Sequence, residues 1–329
     1  MSQNRWTWHG GGLAAARAHF GEGTEPWLDL STGINPHAWP RADAVEVDWR
    51  VLPDEHALRG LEEAAAVSFG CDPDHVCAVP GTEVGLRLAG KLLVDPVYHV
   101  IPTYRTHGEM APGSLPVLLN DLEQADGSSL ILANPNNPDG HLIERAHMLA
   151  LLARRGRKGW LVVDEAFADC HPGHSLADRI DDHSRLLIFR SFGKFFGLAG
   201  LRLGFVLGPR EALAKLRAQL GAWPVSAAAI AIGTAAYRDV AWQDAMRDQL
   251  VAEAGRLDAL LASHGLRSRG ECPLFRLIES SSASALFESL AQISILTRPF
   301  AGQPNWLRVG LPGSSEGFDR LSSALSHHA

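Results

Sequence analysis

The sequence is poor in the residues and patterns that mark several large classes of protein. It has four cysteines in 329 residues, scattered and without a CxxC pair. This argues against a zinc module or a disulfide framework and fits a reducing cytosol. No apolar run is long enough to span a membrane, and the N-terminus lacks the apolar core of a signal peptide. We therefore expect a cytoplasmic protein without a membrane partner.

A concentrated basic surface is also missing. The formal net charge is −7, and basic and acidic residues are interspersed along the chain. Nucleic acids and anionic membranes need clusters of Lys and Arg, so we expect no nucleic-acid partner. The closest group of potential metal ligands, Cys170, His171 and His174, lies beside Pro172 and Gly173. We interpret it as a polar loop and expect no metal site.

Short apolar runs rich in branched residues alternate with helix-like segments between about residues 76 and 208. This alternation predicts an α/β fold with a large, mostly parallel sheet. The predicted strands are 76–79, 97–101, 130–133, 160–163, 186–189 and 203–207.

Three divisions of the chain follow from this pattern. We predict an N-terminal segment, 1–35, packed with a small domain, and a large domain over 36–210. The smaller α+β domain is predicted over 211–329, with a helix at its start and short strands near 274–277, 293–296 and 306–309.

Polar side chains follow five of the predicted strands. Ligands bind beyond the carboxyl ends of the strands in an open α/β sheet, so we expect these groups to share one rim. They are Gly81-Thr82-Glu83, Thr103-Tyr104, Asn134-Pro-Asn-Asn-Pro138, Asp164-Glu165 and Ser191-Phe-Gly-Lys194.

Lysine is scarce, which makes a catalytic amine simple to find. Lys91, Lys158 and Lys215 lie in predicted helices or in a basic turn, where we expect solvated charges. Lys194 alone lies in a Gly-containing loop after a buried strand. Partial burial there would lower the pKa of an amine and make it a nucleophile towards an aldehyde. A lysine in such a loop can also be purely structural.

The neighbours of Lys194 match the needs of pyridoxal phosphate, which requires a phosphate site, a carboxylate opposite its pyridine nitrogen and a donor near its phenolic oxygen. Gly81 and Thr82 at a helix start offer N–H groups and a positive dipole end. Asp164 would be costly to bury without a cationic partner, which a protonated pyridine supplies. The further candidates are Asn137, Ser191, Arg202 and Tyr104. Each also has a structural interpretation, such as a cap, a turn or a surface ion pair, but their joint occurrence favours a cofactor site.

Three stretches resemble the fold-type-I pyridoxal phosphate enzymes of the aspartate aminotransferase superfamily. They are NPNNPDG at 134–140, VDEA at 163–166, and SFGK at 191–194 followed by GLRLG at 200–204. The resemblance implies a three-layer fold, a homodimer, and Lys194 as the Schiff-base lysine. It implies that Asp164 partners the pyridine nitrogen and that Asn137 donates to the phenolic oxygen. The implied phosphate-side and ring-stacking residues are Gly81, Thr82, Glu83, Ser191, Arg202 and Tyr104, with Tyr104 counted among the catalytic residues.

Within this superfamily, three stretches resemble the threonine-phosphate decarboxylases of cobalamin biosynthesis. They are HGGG at 9–12, LSTGINP at 30–36 and the run 189–204. The resemblance implies conversion of L-threonine O-3-phosphate to (R)-1-amino-2-propanol O-2-phosphate and CO₂. Histidinol-phosphate aminotransferases are near relatives, so that activity is the alternative. A PLP-binding regulator and a dinucleotide-dependent oxidoreductase fit less well, because no helix-turn-helix precedes the fold and no strand precedes Gly10.

Substrate contacts are predicted in the N-terminal and C-terminal parts of the chain. Arg308 lies where the superfamily places its substrate-carboxylate arginine. The candidates for the substrate phosphate are His9, Gly10, Asn35 and Arg298.

Two departures from the family pattern stand out. Phe167 replaces a tyrosine that donates to the phenolic oxygen in many relatives. Leu52 replaces a tyrosine that reaches the phosphate in the partner subunit.

Overall fold

The computed structural model of the protein describes residues 9–23, 25–94 and 96–326. The described residues divide into two compact units: the larger contains residues 38–94, 96–137 and 142–243, and the smaller contains residues 9–23, 25–37, 138–141 and 244–326. No described helix is long and apolar enough to cross a membrane.

The elements are labelled in chain order. The strands are β1 (Leu28–Asp29), β2 (Val76–Val79), β3 (Val97–Ile101), β4 (Leu115–Leu118), β5 (Ser129–Ala133), β6 (Leu161–Asp164), β7 (Leu186–Ser191), β8 (Gly204–Leu207), β9 (Ser268–Arg269), β10 (Phe275–Glu279), β11 (Ile295–Leu296), β12 (Arg298–Phe300) and β13 (Gln303–Gly310). The helices are α1 (Leu13–Phe20), α2 (Glu55–Phe69), α3 (Thr82–Ala89), α4 (Thr106–Glu109), α5 (Arg145–Ala153), α6 (Phe192–Phe195), α7 (Arg210–Leu220), α8 (Ala227–Arg238), α9 (Val240–Ser263), α10 (Ala283–Gln292) and α11 (Ser315–Ser326).

A seven-stranded sheet in the order β2-β8-β7-β6-β5-β3-β4 forms the centre of the larger unit. Strand β8 runs antiparallel to both neighbours, and the other pairs are parallel. Every residue of β5 to β8 is buried, which explains why these strands are continuous apolar runs rather than alternating ones. The predicted α/β fold with a large, mostly parallel sheet is confirmed.

The division of the chain differs from the predicted one at residue 210. Helices α7 and α8 belong to the larger unit, and the smaller unit resumes at residue 244. Ala212, Leu213 and Leu216 of α7 lie in the same buried core as Phe189 of the large sheet, and α8 packs on α2. The helical character of this segment was predicted from the sequence, but the surface that each apolar helix face covers was not.

Strand β4 was not predicted, because only Val117 of its four residues is buried and it forms an edge of the sheet. An edge strand with one buried side chain carries little apolar signal.

The smaller unit holds an antiparallel sheet in the order β12-β13-β10-β9. The N-terminal segment runs beside it, because β1 pairs in parallel with β11. The chain beyond β1 is fixed on two sides: the Leu30 N–H donates to the Leu296 carbonyl at 2.7 Å, and the Gly310 N–H donates to the Leu30 carbonyl at 2.7 Å. These bonds place residues 30–32 next to the end of β13.

Candidate active site

The carboxyl ends of three parallel strands lie side by side in the larger unit. Ala133 of β5, Asp164 of β6 and Phe189 of β7 are in register. The Asn-Pro turn follows the first, Asp164 ends the second, and Lys194 follows the third by five residues. Parallel pairing therefore brings the predicted amide, carboxylate and amine groups to one edge of the sheet.

Lys194 lies in the short helix α6 and is half-buried. The turn needs glycine at position 193, because a Cβ there would lie 2.6 Å from the Ala199 Cα. The Lys194 amine lies 5.8 Å from the centre of the Phe167 ring. The residue that replaces the family tyrosine thus presents an aromatic face to the amine and no hydroxyl.

Asp164 is 7 % exposed and contacts a histidine that the sequence analysis missed. The His107 Nε2 lies 3.0 Å from the Asp164 Oδ2, and the second carboxylate oxygen accepts the Ala166 N–H at 3.1 Å. His107 is fully buried, and its Nδ1 lies 2.9 Å from the Thr103 hydroxyl. The carboxylate keeps lone pairs for a further donor. One feature of the sequence could have pointed to His107. It lies three residues after Tyr104, just beyond the end of a predicted strand, so both side chains can reach the same rim.

The predicted phosphate-side residues meet around the start of α3. Gly81 caps this helix at φ +88°, and a Cβ on it would lie 2.6 Å from Arg202 Nη2. A Cβ on Gly204 would lie 2.7 Å from the Thr82 nitrogen, and Ser191 pairs with Gly204 across strands β7 and β8. Glycine at both positions lets the Arg202 guanidinium approach the start of α3 and lets strand β8 approach the Thr82 N–H.

Arg202 itself adopts a left-handed conformation, with φ 54° and ψ 51°. Its Nη1 donates to the Ala199 carbonyl at 3.1 Å. Such a conformation is unfavourable for a side chain with a Cβ and is typical of functional sites.

Glu83, predicted to bind the cofactor, has its carboxylate engaged by neighbouring side chains. It accepts the Tyr104 hydroxyl at 3.0 Å, the Thr106 hydroxyl at 2.9 Å and the Arg87 Nε at 2.7 Å. Burial alone would raise the pKa of Glu83, but the hydrogen bonds from Thr106, Arg87 and Tyr104 outweigh burial and lower that pKa. In this structure the Glu83 side chain fixes the Tyr104 ring, which the sequence analysis could not foresee.

The asparagines of the turn after β5 have different roles. The Asn134 side chain donates to the Ile143 carbonyl at 3.0 Å and accepts the Ile143 N–H at 2.8 Å. The Asn136 amide donates to the Pro102 carbonyl at 3.0 Å. These two side chains stabilise the turn. Asn137 is half-buried and is the last residue of the segment 38–137 of the larger unit.

A second group that the sequence analysis missed is the buried ion cluster of Arg190, Glu165 and Asp169. All three are at most 3 % exposed. Arg190 Nη1 donates to Glu165 at 3.2 Å, and Nη2 donates to Asp169. Burial alone would lower the pKa of Arg190, but the carboxylates of Asp169 and Glu165 outweigh it and raise that pKa, so the guanidinium stays charged. The cluster ties the end of β7, before Lys194, to the loop after Asp164.

The smaller unit carries two buried arginines on neighbouring strands. Arg308 of β13 is directly opposite Arg298 of β12, and the two are 3 % and 9 % exposed. The Arg308 guanidinium donates to the Ser31 carbonyl at 2.8 Å and lies 4.8 Å from the centre of the Phe275 ring. Burial and, after it, the charge of Arg298 lower the pKa of Arg308. Two buried cations on facing residues favour an anion as ligand.

The other predicted substrate residues also lie in the smaller unit. Gly10 rests on Ser31 so closely that a Cβ would lie 2.2 Å from the Ser31 carbonyl oxygen. His9 is exposed, and its Nδ1 lies 2.9 Å from the Gly10 carbonyl oxygen. Asn35 is 2 % exposed and accepts the His37 N–H at 2.9 Å, so it also stabilises a turn. The structure brings Gly10 to the residue that contacts Arg308, and leaves the His9 ring at the surface.

The chemistry of the larger unit's rim fits pyridoxal phosphate. A glycine-walled helix start with a guanidinium suits the phosphate, a buried carboxylate suits the pyridine nitrogen, and a half-buried lysine amine suits the aldehyde. Among residues 9–23, 25–94 and 96–326, no group of three or more His, Cys, Asp or Glu side chains is arranged to hold a metal ion.

Comparison with known proteins places the chain in a family. Residues 114–325 match the family model for aminotransferase class I and II. The chain is 38 % identical over 325 residues to a threonine-phosphate decarboxylase from Sinorhizobium sp, covering 97 % of each chain. It is 37 % identical over 330 residues to a threonine-phosphate decarboxylase from Pseudomonas aeruginosa, covering 96 % of each.

A similar fold occurs in a solved structure of histidinol-phosphate aminotransferase from Sinorhizobium meliloti in complex with pyridoxal-5'-phosphate. Its TM-score is 0.82 at 19 % sequence identity, with coverage of 97 % of this chain and 95 % of that one. This likeness supports the fold, and the family match and the full-length relatives decide the membership. The chain belongs to the aminotransferase class I and II family of fold-type-I pyridoxal phosphate enzymes.

Proposed function

We propose that this protein decarboxylates L-threonine O-3-phosphate to (R)-1-amino-2-propanol O-2-phosphate and CO₂, a step of cobalamin biosynthesis. The observation that carries the proposal is the similarity to a threonine-phosphate decarboxylase over 97 % of both chains. The buried pair Arg298 and Arg308 supports it, because the substrate carries two anionic groups, a carboxylate and a phosphate.

In the proposed reaction, the residues of the larger unit hold the cofactor. Bound pyridoxal phosphate supplies an electron-accepting ring that stabilises negative charge at the substrate Cα. The start of α3, with Gly81 and Thr82, binds the phosphate together with Ser191 and Arg202. Lys194 would hold the cofactor through a covalent bond between its amine and the aldehyde carbon.

Three further contacts set the charge and orientation of the ring. Asp164, held by His107 at 3.0 Å, keeps the pyridine nitrogen protonated. Asn137 donates to the phenolic oxygen, and Tyr104, fixed by Glu83, stacks on the ring face. Phe167 has no hydroxyl, so in this proposal Asn137 is the side-chain donor to the phenolic oxygen.

The residues of the smaller unit bind the substrate in this proposal. Arg308 binds the carboxylate, and an anion there offsets the repulsion between Arg308 and Arg298. Arg298, Asn35 and the His9–Gly10 segment bind the phosphate. The orientation in which the carboxylate is held would decide which bond at Cα is broken, and so whether decarboxylation or transamination follows.

The reaction itself is the first test. Purified protein with pyridoxal phosphate and L-threonine O-3-phosphate, without any 2-oxoacid, is expected to release CO₂ and aminopropanol phosphate in equal amounts, followed by mass spectrometry. An aminotransferase would instead need a 2-oxoacid acceptor. Absence of CO₂ together with conversion of histidinol phosphate once 2-oxoglutarate is added would replace the decarboxylase by the alternative activity.

Replacing Asp164 by alanine is expected to lower turnover by about 10²–10³-fold, by analogy with the loss of one stabilising donor at a developing charge. Cofactor affinity is expected to fall as well, because the pyridine nitrogen loses its partner. Steady-state kinetics and titration of the cofactor absorbance measure the two effects. Asp182→Ala removes an exposed carboxylate paired with Arg210 and serves as the control. Near-normal rates in Asp164→Ala would contradict the role.

We also propose a cytoplasmic homodimer. Trp49, Val51 and Leu52 of the larger unit are 78 %, 62 % and 62 % exposed. The last two line a groove of ≈ 550 Å³ with residues of α2 and α8. Exposed apolar groups gathered at one groove are typical of a protein–protein contact, and homo-oligomers with twofold symmetry are the commonest case.

A further inference from the structure

Ser31 contacts both the N-terminal segment and the buried arginine of the smaller unit. Its hydroxyl accepts the Gly11 N–H at 2.8 Å, and its carbonyl accepts Arg308 Nη2 at 2.8 Å. Ser31 is 2 % exposed and its contact with Arg308 is buried, whereas Gly11 lies at the surface. One buried residue therefore links residues 9–12 to the arginine that we assign to the substrate carboxylate.

The direction of the Ser31 hydroxyl is fixed by Asp29. The hydroxyl donates to the Asp29 Oδ1 at 2.6 Å, and the Ser31 N–H donates to the same oxygen at 2.9 Å. Because the proton points to the carboxylate, the lone pairs are left for the Gly11 N–H. Donation to a carboxylate also makes the hydroxyl oxygen a better acceptor, since chained hydrogen bonds polarise one another.

The backbone around Ser31 has little room to shift. Leu30 is bonded on both sides, to Leu296 and to Gly310, and a Cβ on Gly310 would lie 2.6 Å from the Thr32 carbonyl oxygen. The contact of Arg308 is to the Ser31 backbone, whereas the contact of Gly11 is to the Ser31 side chain. A substitution at Ser31 can therefore release the N-terminal segment without removing the partner of Arg308.

We propose that Ser31 is a positioning residue that holds residues 9–12 in place for binding of the substrate phosphate. The inference rests on the proposed function, because it assigns a phosphorylated substrate to this unit. The hydroxyl of Ser31 acts through the segment and does not touch the substrate. Its loss leaves the carboxylate contact of Arg308 intact and selectively weakens the recognition of phosphate.

The test compares Ser31→Ala with Ser284→Ala in the full-length protein loaded with pyridoxal phosphate. Ser284 is an exposed residue of α10 in the same unit, so its variant makes the same chemical change away from residues 9–12. Hydrogen exchange is measured on a peptide that contains Gly11. The dissociation constants of L-threonine O-3-phosphate and of unphosphorylated L-threonine are measured by titration.

Ser31→Ala is expected to speed exchange of the Gly11 amide about tenfold, which corresponds to the loss of one hydrogen bond of ordinary net strength. The phosphorylated ligand is expected to bind about 3–10-fold more weakly for the same reason. L-Threonine affinity should stay unchanged, because Arg308 keeps its carbonyl partner. Ser284→Ala should match the wild type in all three measurements.

Three results would overturn the inference: unchanged exchange at Gly11, faster exchange with unchanged phosphorylated-ligand binding, or equal weakening of both ligands. The last would indicate a general structural role for Ser31. The outcome is separable from that of the proposed function. A wild-type protein that binds L-threonine O-3-phosphate without releasing CO₂ would refute the reaction, while the comparison of variants would still decide the role of Ser31.

Discussion

Lys194→Ala is expected to abolish turnover while leaving the fold intact. The amine is the one nucleophile at the rim of the large sheet that we assign to the cofactor aldehyde, and the loss of a covalent nucleophile costs on the order of 10⁴-fold or more in rate. Lys194 is half-buried in the short helix α6, and its neighbours Phe192, Gly193 and Phe195 carry the packing. Removing the side chain beyond Cβ should therefore change the thermal midpoint little.

Steady-state kinetics measures the loss of turnover, visible absorbance measures the lysine-bound cofactor, and circular dichroism measures the fold. The variant should lose the visible absorbance of the lysine-bound cofactor and keep the far-ultraviolet spectrum of the wild type. Lys215→Ala is the control, because Lys215 is exposed on α7 and paired with Glu211 at 2.7 Å. Turnover by Lys194→Ala within about 100-fold of the wild type would show that another group performs the assigned step.

Among the substitutions proposed for this protein, Arg190→Met is expected to lower the free energy of unfolding the most. The substitution leaves the carboxylates of Glu165 and Asp169 buried without their cation, and breaking a buried pair from one side costs about 3–5 kcal/mol. The methionine also loses the contact of the guanidinium with the Phe69 ring, whose centre lies 4.5 Å from Arg190 Cζ. The cluster joins the ends of β6 and β7, so the same change should weaken cofactor binding.

Urea unfolding monitored by circular dichroism measures the change in the free energy of unfolding. Arg210→Met provides the comparison, because Arg210 is exposed and its pair with Asp182 is screened by water. Adding Glu165→Gln and Asp169→Asn to Arg190→Met should recover part of the loss, since neutral amides are cheaper to bury than carboxylates. An unfolding free energy of Arg190→Met within about 1 kcal/mol of the wild type would show that the cluster is not a stabilising ion network.

For Asp164 and Tyr104, the structure adds a contacting side chain that the sequence motifs did not predict. Burial of Asp164 was an expectation from its place at the end of an apolar strand, and the structure adds His107 at 3.0 Å. Tyr104 was expected to stack on a ring, and the structure adds the Glu83 carboxylate that fixes it. In each case the partner lies some 20 to 60 residues away in sequence, on a different element.

What the sequence by itself determined is the chemistry at the strand ends and the type of fold. Continuous apolar runs alternating with helical segments predict buried parallel strands, and parallel strands necessarily present their carboxyl ends at one edge. The order of functional groups along the chain, read with the scarcity of lysine, was therefore enough to predict roles for Lys194, Asp164, Asn137 and Arg202. The full-length similarity to known decarboxylases agrees with the predicted fold and cofactor, and the individual site residues stay predictions.

Only the tertiary structure decided which side chains hold these groups in place. The pairing of His107 with Asp164, the Arg190 cluster and the Ser31 contacts all join residues distant in sequence, and no periodicity encodes such pairs. The assignment of α7 and α8 to the larger unit was also decided there, because a helix pattern shows that an apolar face exists but not which surface covers it. The apolar periodicity of an element is a property of its local sequence, whereas the contacts of its side chains depend on how the elements pack.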